Sequence, residues 1–209
     1  MRRLTSVILG AILSLALAST AQAQLALGIR AGYNNSSLSV KEGGVSSSAF
    51  TRLSGFHAGA DLTIGLGQSV GIGVGAAYSQ KGANVENVDA KIAVDYIDVP
   101  VTFVFSIPTA GSSITPRLFA GGVVSFEMSC KVKVTGESSD CGDEDVGARK
   151  STYFSGLIGV GVALAAGPGS FVLDAGFQLG ATNISDETDE TVKINTLQLS
   201  LGYQFPLSG

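Results

Sequence analysis

Apolar residues alternate with small or polar ones along most of this chain. A period of two marks β-strands, whose successive side chains face opposite sides. The pattern is clearest over residues 53–82. Phe56, Ala58, Ala60, Leu62 and Ile64 share one face, and Gly55, His57, Gly59, Asp61 and Thr63 share the other. After Gly67-Gln68-Ser69 the alternation resumes, with Val70, Ile72, Val74, Ala76 and Tyr78 against Gly71, Gly73, Gly75, Ala77 and Ser79. The second face holds glycines, an aspartate and a histidine instead of a solvated spread of Lys and Glu. That pattern fits a transmembrane barrel wall, apolar toward lipid and polar toward a narrow interior. Gly71-Ile72-Gly73-Val74-Gly75 superficially matches a dinucleotide fingerprint, but those glycines alternate within one strand and do not form the required turn into a helix.

The same reading predicts eight strands. The first covers residues 25–34, with Leu25, Leu27, Ile29, Ala31 and Tyr33 outward and Gly28, Arg30, Gly32 and Asn34 inward. The fourth turns Ile97, Val99, Val101, Phe103, Phe105 and Ile107 outward and Tyr96, Asp98 and Thr102 inward. The fifth, residues 114–128, puts Arg117, Gly121, Ser125 and Glu127 inward, and the seventh does so with Asp174 and Gln178. Residues 35–52, 84–91, 129–150 and 183–191 read as long loops, while 67–69, 108–113 and 166–169 read as short turns. Long and short connections therefore alternate. The expected fold is all-β, an eight-stranded antiparallel transmembrane β-barrel with short periplasmic turns, long extracellular loops and both termini periplasmic. The strands reach the roughly 9–11 residues needed to cross a bilayer, and closure follows because an open edge in lipid leaves backbone groups unpaired. Tyr33, Tyr78, Phe105, Phe126, Tyr153, Phe171 and Phe205, near strand ends, are expected in the two interfacial aromatic girdles.

The N-terminus adds a compartment. Arg2 and Arg3, an apolar run over residues 7–18 and Ala21-Gln22-Ala23 make a secretory signal peptide. Residues 1–23 are expected to be cleaved, leaving 24–209 as one barrel domain. Removing Arg2 and Arg3 from 13 Lys and Arg leaves 11 against 17 Asp and Glu, a net charge of about −6. That disfavours nucleic acid as a partner. With 45% apolar residues, 14% charged and 28 glycines, the composition suits a barrel better than a soluble enzyme. Cys130 and Cys141 follow a signal peptide, so a disulfide pinning a hairpin tip is expected.

Chemistry-bearing residues cluster on the inward face. Arg30, Asp61, Arg117 and Asp174 fall at similar heights and form an expected lumenal ion-pair layer, since a lone charge there is costly and Arg offers a carboxylate a fixed fork. A gate or solute path lined by those charges is the functional alternative. His57, Asp98, Glu127 and Gln178 are further lumenal polar residues, with Asp98 a candidate neighbour of His57. Ser54 and Ser79 offer no nucleophile elbow, so no catalytic residue is assigned. The acidic runs around Asp140–Asp145 and Asp186–Glu190 lack calcium-loop spacing, and neither a metal nor a cofactor is assigned.

Gly55-Phe56-His57-Ala58-Gly59, Tyr78-Ser79-Gln80-Lys81-Gly82-Ala83, Tyr96-Ile97-Asp98-Val99-Pro100 and Pro116-Arg117-Leu118-Phe119-Ala120-Gly121 resemble the PorT-like outer-membrane β-barrel family. The resemblance spans nearly the whole chain after residue 23. It implies an eight-stranded barrel in a Gram-negative outer membrane, with functions that differ among members. The expectation is a non-enzymatic barrel with a structural or adhesive role through its extracellular loops. Its expected surroundings are outer-membrane lipid and lipopolysaccharide, reached through the outer-membrane assembly machinery. The alternatives are a small-solute channel or accessory component of a secretion or transport machine, and an outer-membrane lipid-modifying enzyme. A soluble lipocalin-type barrel would require apolar residues inside, whereas here Arg, Asp and Gln share a face with the glycines.

Overall fold

The computed structural model describes residues 24–42, 45–47, 50–85, 90–134, 137–141, 150–185 and 190–207. The segment read as a signal peptide and the acidic residues Asp143, Glu144, Asp145, Asp186, Glu187 and Asp189 lie outside the described residues. The strands are β1 (Leu25–Glu42), β2 (Val45–Ser47), β3 (Phe50–Gly65), β4 (Val70–Val85), β5 (Ala90–Ser106), β6 (Ile114–Val134), β7 (Glu137–Asp140), β8 (Thr152–Ala166), β9 (Gly169–Gly180) and β10 (Glu190–Pro206). Eight long strands (β1, β3, β4, β5, β6, β8, β9 and β10) pair antiparallel in chain order. The last returns to the first, from Ala26 opposite Pro206 up to Glu42 opposite Glu190, so the sheet closes into a ring. The two short strands fold back as ribbons, β2 on β1 and β7 on β6.

Short turns gather at the end of the barrel that also carries Gln24 and Leu207. The tightest joins β8 to β9 through Gly167 and Pro168. Gly167 takes φ 62°, which the first position of a two-residue hairpin turn requires, and proline suits the second.

In the lower part of the barrel the outward positions are apolar and bare. Phe103 is 64% exposed, and Ile158 and Leu201 are each 59% exposed. Such an apolar band is stable only against lipid. Beyond Tyr33, Tyr78 and Phe126 the strands do not stop where polar composition suggested loops. β1 continues through Glu42, β6 through Val134, and β5 and β10 begin at Ala90 and Glu190.

In this upper collar the polarity of the two faces is reversed. Val94, Cys130 and Ile194 point inward and pack with Tyr96, Tyr153 and Ile184, flanked by Leu38, Ile92, Cys141 and Val192. Ile184 is placed by the segment after β9. Its N–H donates to Val192 O (3.0 Å), and Lys150 N–H donates to Ile184 O (2.8 Å). A bulge assists on β6. The register passes from Asp95 opposite Ser129 to Tyr96 opposite Glu127, leaving Met128 unpaired and 65% exposed. One extra residue switches the inward set from Arg117, Phe119, Val123 and Ser125 to Cys130. Cys130 and Cys141 form a disulfide with Cα atoms 5.4 Å apart, tying β6 to the end of β7.

Tyr153 departs from the expected girdle. It is 1% exposed, stacks edge-on against Tyr96 at 5.2 Å and belongs to the interior. The neighbouring outward residue is Phe154, 53% exposed.

Candidate functional site

The interior is built in layers. The lowest brings Arg30, Asp61, Arg117 and Asp174 together from four strands. Arg30 Nη2 lies 2.6 Å from Asp61 Oδ1, and Arg30 Nε donates to the same oxygen at 2.8 Å. Arg30 Nη1 reaches Asp174 Oδ2 at 3.3 Å, and Arg117 Nε lies 3.3 Å from Asp174 Oδ1 without hydrogen-bond alignment. Arg117 Nη1 also donates to Gln204 Oε1 at 3.4 Å. Asp174 is thus shared by two guanidinium groups.

Glycines make the layer possible by their lack of a side chain. Arg30 sits between Gly202 and Gly59 on the adjacent strands, Asp61 between Gly28 and Gly75, and Asp174 beside Gly161. A Cβ on Gly28 would lie 2.6 Å from Asp61 Oδ1, and one on Gly161 would meet Asp174 Oδ1. Each charged side chain lies across a neighbouring strand that has been emptied for it.

Above sits His57, which is buried. Its Nδ1 contacts Asn34 Oδ1 at 2.7 Å and its Nε2 contacts Ser200 Oγ at 2.8 Å. Asn34 Nδ2 faces the carbonyls of Gln80 (3.0 Å) and Phe56 (3.4 Å) and Ser79 Oγ (2.9 Å). With its amide nitrogen so committed, Asn34 presents oxygen to His57. That assigns the ring proton to Nδ1 and leaves Nε2 to accept from Ser200.

The order Asn–His–Ser is that of a hydrolase triad, but nucleophilic catalysis also needs oxyanion donors. The strand backbone around Ser200 pairs with β1 on one side and β9 on the other, and Arg30 is held by two carboxylates. The trio therefore reads as a satisfied polar network. Asp98, considered as a neighbour for His57, is engaged elsewhere.

The third layer is centred on Lys81, 1% exposed. Its Nζ lies 2.7 Å from Asp98 Oδ2 and donates to Tyr153 OH (2.7 Å), Gln178 Oε1 (2.9 Å) and Ser125 Oγ (3.5 Å). Ser125 Oγ in turn donates to Asp98 Oδ1 at 2.6 Å, and Gln178 Nε2 to Ser155 Oγ at 2.6 Å. Five strands converge on one ammonium group. Sequence reasoning missed Lys81, although it is the next position of the inward series Gly75, Ala77, Ser79. Glu127 lies one inward step above Ser125, half-buried opposite Tyr96.

Between the arginine layer and the lysine layer lies a cavity of about 80 Å³, lined by Arg30, His57, Asp61, Thr102, Phe119 and Gln198 among others. It has room for about five to eight waters. Among the described residues no group of three His, Cys, Asp or Glu is placed to hold a metal ion.

An apolar outer band, a closed antiparallel ring and a polar, ion-paired interior define a transmembrane β-barrel of the bacterial outer-membrane type. The model for the outer membrane protein beta-barrel domain matches residues 19–186, and the chain belongs to that family. Its compartment is accordingly the Gram-negative outer membrane, among lipid and lipopolysaccharide. The fold is similar to that of Neisserial surface protein A (17% identity, covering 87% of this chain and 99% of that one, TM-score 0.51). It is similar to OprG of Pseudomonas aeruginosa as well (13% identity, 88% and 97% covered, TM-score 0.51). Ail, the attachment invasion locus protein of Yersinia pestis, is 22% identical over 87% of this chain and 99% of its own, with a TM-score of 0.43. A comparison with curated protein sequences gives no match.

Proposed function

We propose that this protein is a closed, non-enzymatic barrel that anchors an extracellular collar in the outer membrane and acts through that collar. One observation carries the reading: the interior is filled at two levels by ion pairs and at the collar by the apolar cluster around Ile184 and Ile194. A side-chain-filled lumen suits a support for the collar and loops, not a conduit. Entry into the membrane by way of a cleaved signal peptide and the outer-membrane assembly machinery belongs to the same reading. Tyr78-Ser79-Gln80-Lys81-Gly82 and the Tyr96-to-Pro100 strand support a PorT-like position within the family.

The test is single-channel recording of the refolded protein in a planar bilayer, with and without Arg117→Ala. Insertion with no current in either form is the expected result. A current that appears when the arginine is removed would make the lower ion-pair layer a gate and favour a small-solute channel.

A further inference from the structure

The collar's outward face carries lysines that form no ion pair among the described residues. Lys91 on β5 stands directly opposite Lys133 on β6, and Lys131 follows two positions along the same face. Like charges placed opposite one another on a sheet are destabilising. Among the described residues none of the three forms an ion pair, even though Asp140 lies opposite Lys131 on β7. Asn84, opposite Lys91, donates to the backbone carbonyl of Arg52 on β3 at 2.6 Å, and the exposed Arg52 side chain, which donates to Asn35 Oδ1 at 3.2 Å, flanks the row. Lys41 and Lys193 face the same way on β1 and β10. A fold that accepts this repulsion has a use for an external anion.

Direction and height identify the anion. Strand side chains stand perpendicular to the barrel wall, so these lysines point sideways, along the membrane plane. What surrounds the barrel sideways is the outer leaflet. Lys131 pairs with Ala93, and Lys133 with Lys91, four and six residues above Ile97 and Phe126 in the aromatic girdle. At about 3.3 Å per residue and a tilt near 40°, that is about 10–15 Å above the girdle. Phospholipid headgroups occupy only about 5–8 Å per leaflet. The row therefore faces a headgroup several sugars tall.

We infer that Lys91, Lys131 and Lys133, flanked by Arg52, bind phosphate groups on the sugar core of lipopolysaccharide molecules packed against the barrel. The inference deepens the anchored-collar reading and rests on its outer-membrane placement, but it does not depend on whether the lumen conducts.

The test is calorimetric titration of the refolded, detergent-solubilised full chain with purified phosphorylated core lipopolysaccharide, the same material dephosphorylated, and heparin. Measurements are made at low and at physiological salt. Wild type should bind the phosphorylated form at least tenfold more tightly than the dephosphorylated form, with affinity falling as salt rises. The triple variant K91Q/K131Q/K133Q should lose that tenfold, and its folding is checked by the heat-dependent gel shift. If the triple variant does not fold, Lys133→Gln alone and the wild-type phosphate dependence decide. Equal binding of the two lipopolysaccharides, an unaffected folded variant, or tight binding of heparin alone would each overturn the inference, the last pointing to a soluble polyanion.

Discussion

The wall and the collar are one continuous sheet with one period, yet the inward face they bury has opposite polarity. In the wall, Ile158 and Leu201 are bare while Arg117 and Asp174 are buried. In the collar, Ile194 and Val94 are buried while Lys91, Lys131 and Lys133 face out. Alternation alone sets only the strand; the medium outside decides which half of the alternation points in. The same sheet therefore works as a membrane protein below the girdle and as a small soluble barrel above it.

The largest effect should come from the point where the two regimes meet. Lys81→Met leaves Asp98 buried without its cation and should cost about 3–5 kcal/mol in urea unfolding from lipid vesicles. Adding Asp98→Leu should recover much of that, because a paired apolar replacement removes the orphaned charge. Next, a charge placed outward separates the regions. Ile158→Arg, near mid-wall, should cost about 2–4 kcal/mol. Ser37→Arg on the collar's outer face, opposite Asn195, should stay within about 0.5 kcal/mol by the same assay.

Truncation inverts the order. Ile194→Ala opens a cavity in the collar's core and should cost about 2–4 kcal/mol. Ile158→Ala leaves only a dent that lipid fills, and should cost less than about 1 kcal/mol. If both cost the same, the collar interior is not a packed core. The most local effect is expected from reducing the Cys130–Cys141 bridge. Its cysteines are 11 positions apart in sequence, which limits the entropic gain to about 3 kcal/mol, and the loss should appear as faster proteolysis of β7, with the wall unaffected.

Much of this was legible from the alternation. The eight long strands, the short turns and the inward placement of Arg30, Asp61, Arg117 and Asp174 follow from counting by two. Lys81 was legible by the same count, one step beyond Ser79, and Tyr153 too, since Phe154 beside it is outward. The collar was harder. Ser37, Ser39, Lys131 and Lys133 give it the composition of a loop, and only cross-strand pairing shows that Leu38, Val132 and Val134 continue the ladder. The bulge at Met128 leaves no local signal, because a single added residue is visible only against its partner strand.

The seam between β1 and β10 has a consequence for the order of assembly. It joins the two ends of the described chain through 17 consecutive residue pairs, so the ring cannot be sealed until β10 has been made. Until then both edges present unsatisfied backbone groups, ready to recruit a foreign strand. Before closure the chain is thus open to strand exchange at two edges, and the seam is the last stitch that removes both.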